Sequence, residues 1–293
     1  MVTTLSVDII GLGTCNADFI LKIPRFVSAD DEVEIEQFIL SLGGSASNFC
    51  VALSRLNVKT GIMARVGNDG IGKWALDKFK KEGVDIERLV PVEGSTGMTF
   101  IAVDPSGERS IYSFTGANKQ FKVDKQDINY IKNSKILHIS GIYCEVADEA
   151  SKYANKLSFN PGTLLSAYGI NKLSPIIKRT KFLFLNKKEL FLLTKKKLKD
   201  GAQLLLDKGV PIVIVTQGCD GASLYTQHEI IHSSPCDVKA VDTTGAGDSF
   251  AAGFLAAYSK NNDISYCLDY ANHVAAECIQ KLGPLNVPRN FKF

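Results

Sequence analysis

The sequence predicts an α/β fold: a doubly wound, mainly parallel sheet flanked by helices, carrying a small antiparallel β-sheet lid. Three observations lead there. Short apolar runs alternate with helix-period segments along most of the chain, as strands do when helices cross over to cover them. The runs are apolar at nearly every position, which suits strands buried on both faces. Two further segments, 33–40 and 98–114, alternate with period two and suit a separate, half-exposed sheet.

In chain order the apolar runs are "VDIIGL" (7–12), "IMARV" (62–66), "KILHIS" (135–140), "FLFLN" (182–186) and "IVIVT" (212–216). Between them, 46–57, 70–82, 146–156 and 199–208 place apolar residues at helical spacing. "VEIEQFIL" (33–40) and "MTFIAVDPSGERSIYSF" (98–114) interrupt this order, the second divided by the turn-rich "DPSGER". Such strands do not readily join a parallel core. Lid segments of about 33–41 and 98–116 are therefore expected to project from one domain, 1–293, that has no internal repeat or long linker. Ligands of open parallel sheets lie beyond the carboxyl ends of the strands, so residues just after each run are candidates.

Composition excludes several classes. With 45% hydrophobic and 22% charged residues in 293, the chain reads as an ordinary soluble protein, not a disordered one. A net charge of +3 implies no polyanionic partner. The lysines of "NKKELFLLTKKKLKD" (186–200) interleave with leucines like the wet face of a helix, and no aromatic ladder suggests nucleic acid. Seven cysteines (15, 50, 144, 219, 236, 267 and 278) are scattered, with no C-x-x-C. That argues against a disulfide framework or zinc site and for a reducing cytoplasm. "MVTTLSVDII" lacks the pattern of a leader, and no apolar run approaches a membrane span.

Two glycine-rich segments are decoys. "GLGTCN" (11–16) has Asn16 where a dinucleotide fingerprint needs its third glycine, and no helix pattern starts there. A nicotinamide cofactor, and hydride transfer with it, is disfavoured. "GNDGIGKW" (67–74) spaces Gly67, Gly72 and Lys73 like a P-loop, but Trp74 replaces the hydroxyl residue that would hold magnesium. It reads as a turn opening a helix.

"VDTTGAGDSF" (241–250) is richer. Its glycines let backbone N–H groups approach a ligand. The following "SFAAGFLAAY" reads as a helix, with Phe250, Phe254, Ala257 and Tyr258 at i, i+4, i+7 and i+8. Unpaired donors at a helix start make an anion site, and a phosphoryl group in transfer is such an anion. An aspartate beside it would repel phosphate unless it accepts a proton, which makes Asp248 a candidate general base. The alternative is a capped turn, with Asp242 or Thr243 closing the helix and Asp248 in its first turn. Capping explains an aspartate but not the clustered glycines.

"DTTGAGDSF", together with "GGSASNFCVALSRLNVKTGIMARVGNDGIG" (43–72), strongly resembles the two signatures of the ribokinase-like, or PfkB, carbohydrate kinase family, in the right order over nearly the whole chain. The resemblance implies a ribokinase-like domain with its lid over a sugar, ATP as phosphate donor, Mg2+, and K+ as an activating ion. It implies Asp248 as base and Gly245, Ala246 and Gly247 as the anion hole. Asp242 and Thr244 would hold the monovalent cation, with Asp242 also reaching the sugar. Asn16 and Asp18 would bind substrate hydroxyls, Gly43 and Gly44 would let substrate approach backbone, and Asn48 would be a further hydroxyl ligand. In "NKKE", Asn186 and Glu189 would order magnesium through water. Thr216, Gly218 and Gly221 of "VTQGCDGA" would flank the nucleotide, and Asn272 would line its adenine pocket.

Plainer readings stand beside these. Carboxylate and amide groups suit a polyol, but Asn16 and Asp18 also suit a solvated loop. Gly43 and Gly44 suit a helix-start turn, Glu189 an ordinary helix N-terminus, and Asn272 an exposed helix face. Two departures matter. Ser45-Ala46-Ser47 stands where many ribokinases carry Lys-Gly-Ala, leaving Arg109 on the lid as the candidate to balance phosphate charge. After "LHIS", Gly141-Ile142-Tyr143-Cys144-Glu145 offers no acidic residue in the family's place. Glu145 is displaced or irrelevant, and ribose is in doubt.

The expectation is an ATP-dependent phosphotransferase acting on a sugar hydroxyl. One alternative is a nucleoside kinase stacking a base on Phe100 and Phe114 of the lid. Another is a non-enzymatic sugar-binding protein, against which the retained Asp248 and glycines count. Exposed lid edges suit a homodimer formed through the lid.

Overall fold

A computed structural model of the chain describes residues 7–291. The expectation that no leader is present rests partly on residues 1–6, which lie outside the described residues. The chain runs through β1 (Ile9–Leu12), β2 (Asn16–Lys22), β3 (Gln37–Gly43), α1 (Ser45–Arg55), β4 (Thr60–Gly67), α2 (Gly70–Glu82) and β5 (Leu89–Val92). Then come β6 (Gly97–Val103), β7 (Arg109–Phe114), a 3₁₀ turn (Gly116–Gln120), α3 (Lys125–Lys132), β8 (Ile136–Ser140), α4 (Cys144–Ser151) and β9 (Leu157–Asn160). The remainder is α5 (Gly162–Ser166), α6 (Gly169–Ile177), β10 (Thr180–Asn186), α7 (Lys187–Thr194), α8 (Leu198–Asp207), β11 (Ile212–Thr216), β12 (Ala222–Tyr225), β13 (Ile230–Ser233), α9 (Ala246–Ser259) and α10 (Ile264–Cys278).

Among the described residues, nine strands form the main sheet in the order β13-β12-β11-β10-β9-β8-β1-β4-β5. The pairings from β11 through to β5 are parallel, and β12 and β13 return antiparallel at one edge. The winding reverses at β1, which lies between β4 and β8, so a crevice opens at the carboxyl ends of β1 and β8. Asn16, Asn160, Asn186 and Thr216 all stand at or just after such strand ends.

Alternation along β10 shows how the two layers form. Phe182 and Phe184 face one core with α1, α2, α9 and α10, while Leu183 and Leu185 face a second with α4, α6, α7 and α8. Phe254 of α9 meets Phe182 and Phe184 edge-on, at ring separations of 5.9 and 5.6 Å, and Phe250 meets Phe184 at 6.4 Å. Burying each phenyl contributes about 1.5–3 kcal/mol. This pair, one turn apart, clamps the first half of α9 to the sheet and so fixes Asp248. Gly253 brings α10 close, since a Cβ there would stand 3.0 Å from Ala271 Cα.

The lid is a second sheet in the order β3-β2-β6-β7. β2 pairs antiparallel with β3 and parallel with β6, and β6 pairs antiparallel with β7. Register puts Asn16, Asp18, Thr99 and Arg109 on one face, and Phe19, Phe38, Phe100, Tyr112 and Phe114 on the other.

Several boundaries differ from the sequence expectation. The lid segment expected at 33–41 is strand only over Gln37–Gly43, and Asn16–Lys22, outside the expected lid segments, supplies a further lid strand ahead of it. The basic run 186–200 is broken by Lys195 in left-handed backbone (φ 58) into α7 and α8. The segment 67–74 opens a helix as expected, with Asp69 Oδ1 accepting from Gly72 N at 2.7 Å. Among the described residues no helix is long and apolar enough to cross a membrane, and all seven cysteines are free.

Candidate active site

The start of α9 is closed by no side chain. Gly245 is its N-cap in left-handed backbone (φ 76), where a Cβ would also strike Pro284 Cβ at 2.7 Å. Asp242 braces the preceding loop instead: Oδ1 accepts from Thr244 N and Oγ1 at 2.9 and 2.7 Å, and Oδ2 accepts from Gly283 N at 2.9 Å. The capped-turn alternative is therefore not what forms. Ala246 N–H donates to Thr243 O at 3.2 Å, which engages one of the three expected anion-hole donors. The N–H groups of Gly245 and Gly247 have no partner among the described residues, and a Cβ on Gly247 would enter open space.

Asp248, in the first turn, is 8% exposed. Its Oδ2 accepts from Asn48 Nδ2 at 2.9 Å. Burial pushes its pKa up to about 7, against hydrogen bonds from Asn48 and Ser45 and with help from the Glu189 charge. A carboxyl poised near neutrality suits a general base. It lines a cavity of about 210 Å³ with Ser45, Asn160, Glu189, Gly245 and Gly247. Asn48 Oδ1 is buried without a hydrogen-bond partner among the described residues.

On the lid side, Asn16 opens β2 opposite Gly43, and Asp18 follows on the same face. Asp18 is 7% exposed, and burial lifts its pKa to about 6 against a hydrogen bond from Thr99. Gly43 makes room for it, because a Cβ there would lie 2.0 Å from Asp18 Oδ1. Gly44, the N-cap of α1, has φ 95, and a Cβ there would lie 2.3 Å from Thr14 O, so the helix start packs closely on the loop before Asn16.

On the other side a cavity of about 560 Å³ is lined by Thr216, Gly218, Gly221, Gly247 and Asn272 among others. Thr216, Ala246 and Gly247 border both cavities, so the two spaces meet at the start of α9. Asn272 Nδ2 donates to Ser233 Oγ at 2.7 Å and to Ser233 O and Ser234 O at 3.2 Å, so this amide braces the cavity wall. Asn186 and Glu189 form a reciprocal capping box: Asn186 Oδ1 accepts from Glu189 N at 2.9 Å and Glu189 Oε2 from Asn186 N at 3.0 Å. Burial raises the Glu189 pKa against those hydrogen bonds.

Arg109 Nη1 reaches from the lid to Thr244 Oγ1 at 3.0 Å and lies 3.8 Å from Asp242 Oδ1. Burial pushes the Asp242 pKa up, but donors from Thr244 and Gly283, with Arg109 nearby, hold it below the usual carboxylate range. Glu145 lies apart, in a small pocket between α4 and α6 with Asp148 and Lys172. Phe100 and Phe114 point from the lid face opposite Asp18, so neither offers a stacking platform to the cleft. Phe100 pairs instead with Phe19, ring centroids 4.9 Å apart.

Sequence reasoning missed Ser45, Asn160 and Asn118. Ser45 was visible only as a departure from the family pattern. Asn160 ends a strand too short to stand out, and Asn118 lies in a turn after the lid.

An open sheet with its ligand loops at the strand ends, a helix start of unpaired glycine amides beside a buried carboxylate, and a lid above them define a ribokinase-like kinase. The profile of the pfkB family carbohydrate kinase matches residues 7–290. The chain is 32% identical over 287 residues to an ATP-dependent ribose-1-phosphate kinase of Halopiger xanaduensis, covering 96% of this chain and 95% of that one. It is 28% identical over 287 residues to a nucleoside kinase of Methanothermobacter thermautotrophicus, covering 96% and 92%. The crystal structure of a ribokinase from Thermotoga maritima matches with a TM-score of 0.88 at 28% identity, over 97% of both chains. The chain belongs to the pfkB family of carbohydrate kinases, phosphotransferases with an alcohol group as acceptor.

Proposed function

We propose that this chain, as one kinase domain over 1–293 with an inserted lid, moves the γ-phosphate of ATP to a sugar hydroxyl. The observation that carries this is the shared cavity of Asp248 and the unpaired Gly245 and Gly247 amides. With Oδ2 held by Asn48, Asp248 Oδ1 takes the hydroxyl proton. The hydroxyl oxygen then bonds to the γ-phosphorus as the bond from phosphorus to the β,γ-bridging oxygen breaks and ADP leaves. The amides meet the negative charge of the transferring group where water is excluded. Thr216, Gly218 and Gly221 flank the nucleotide in the larger cavity.

Glu189 fits a role toward Mg2+: it is a buried carboxylate on the same cavity as Asp248. Held near Glu189, such an ion would keep most of its water and would supply positive charge to neutralise the phosphates. Asn186 supports it by fixing Glu189 through the capping box. The fit for K+ is poorer. Both Asp242 oxygens already accept hydrogen bonds and Arg109 stands beside Oδ1, so the Asp242–Thr244 pair suits a monovalent cation only with Arg109 withdrawn.

For the acceptor, Asn16, Asp18 and Asn48 offer polar groups suited to a polyol, with Gly43 and Gly44 admitting it to the backbone. A second reading, a phosphorylated sugar, is favoured by Arg109, a cation on the site-facing side of the lid. Free cysteines fit the cytoplasm, and the aromatic outer lid face fits a homodimer. The test is ADP formation from ATP with ribose, ribose 1-phosphate and a panel of nucleosides. Turnover with a sugar or sugar phosphate is expected. Turnover with nucleosides alone would replace the sugar reading, and none with any acceptor would remove it.

A further inference from the structure

Asn118, in the 3₁₀ turn after the lid, is 1% exposed and makes four hydrogen bonds. Its Oδ1 accepts from Cys15 N at 3.0 Å. Its Nδ2 donates to Asn16 Oδ1 at 2.8 Å, Thr115 O at 2.9 Å and Cys15 O at 3.3 Å. The polarity of this chain of bonds is forced. A backbone N–H only donates, so the Asn118 atom facing Cys15 N must be oxygen. The other amide atom is then nitrogen, and the Asn16 atom it meets must be oxygen. Asn16 is thereby held with Oδ1 toward Asn118 and its two Nδ2 hydrogens turned away.

The surroundings are shaped around this amide pair. A Cβ on Gly97, which pairs with Asn16 across β2 and β6, would stand 2.3 Å from both Asn118 Nδ2 and Asn16 Oδ1. Gly116 carries the turn in left-handed backbone (φ 52), with space for a Cβ closed by Ser95 O at 2.4 Å. Residues 15–16, 97 and 115–118, distant in sequence, meet at one contact.

We propose that Asn118 is a positioning residue for the acceptor: it locks the Asn16 amide so that the pocket meets the sugar with hydrogen-bond donors at Asn16 and acceptors at Asp18. This rests on the reading of Asn16 as an acceptor ligand. Asn16 and Asp18 are two residues apart on one strand face, roughly 7 Å along the lid. The preferred acceptor then presents a lone-pair oxygen, such as a ring or phosphate oxygen, to Asn16 and a hydroxyl that donates to Asp18.

Steady-state kinetics on three variants test this. Asn118→Asp keeps the acceptor for Cys15 N but sets an oxygen against Asn16 Oδ1, so the Asn16 amide must turn over. Loss of one oriented hydrogen bond raises the acceptor KM about tenfold with the KM for ATP little changed, while the buried carboxylate, set without a donor against Thr115 O and Cys15 O, lowers the unfolding temperature. In an Asn16→Ala background the same substitution adds no further increase. Asn16→Asp, which still accepts from Asn118 and leaves the lock untouched, raises the acceptor KM more than Asn16→Ala does, because it points an acceptor where donors are needed. This arm stands even where Asn118→Asp does not fold. An equal Asn118→Asp effect with and without Asn16, or a wild-type acceptor KM in Asn16→Asp, overturns the proposal. An unchanged acceptor KM in Asn16→Ala removes Asn16 from the acceptor site, and this inference with it.

Discussion

Asn48 Nδ2 donates to Asp248 Oδ2 at 2.9 Å, joining the starts of α1 and α9 across 200 residues of sequence. In the proposed function, the carboxylate oxygen that this bond does not hold takes the proton of the incoming hydroxyl. The bond also opposes the burial that lifts the Asp248 pKa to about 7. A base works when deprotonated, so activity is expected to rise with pH through about 7 in the wild type.

Asn48→Ala removes a donor to the charged form and so moves the Asp248 pKa upward. The acidic limb of the kcat/KM profile should shift to higher pH. A limb that stays in place would detach this bond from catalysis.

Stability should carry the opposite signature. The folded Asp248 pKa is raised from 3.8 to about 7. Its contribution to stability is fully present below about pH 3.8 and is lost as the pH rises through about 7. Asp248→Asn cannot ionise, so thermal unfolding should find it more stable than wild type at pH 8, with little difference at pH 4. Equal shifts at both pH values would deny the buried charge any part in stability.

The two glycines with unpaired amides should separate by mutation. Gly245→Ala meets both the left-handed backbone and Pro284, so it should lose on the order of 1–3 kcal/mol of folding stability. Gly247→Ala adds a methyl group to open space in the cavity, so it should unfold like wild type while its KM for ATP rises. Calorimetric unfolding and ATP titration of both variants check the contrast.

The outer lid face leaves Phe38, Phe100, Tyr112 and Phe114 exposed, a clustering unusual on a monomer surface. Analytical ultracentrifugation should find a dimer that Tyr112→Glu with Phe114→Glu converts to monomer. A wild-type monomer across micromolar concentrations would remove the lid interface.

Much of this was legible locally. The wholly apolar runs and the glycine-flanked Asp248 are patterns that a few adjacent residues define. β2 escaped because "NADFILK" mixes the polar Asn16 and Asp18, which face the cleft, with apolar residues on the other face. "VEIE" has a strand's alternation, yet the ladder of β3 with β2 begins only where Gln37 meets Lys22. The break at Lys195 left no mark in composition. Asn118 and Asn160 are single polar residues in or beside turns, and their meaning comes from contacts that only the folded chain makes.

Removal of the acceptor proton by Asp248 is the step on which the proposed function depends. Single-turnover phosphoryl transfer by Asp248→Asn, with ATP affinity measured in parallel, tests it most directly. Unchanged ATP binding with a rate lower by about two orders of magnitude or more is the predicted result. A near wild-type rate would contradict it.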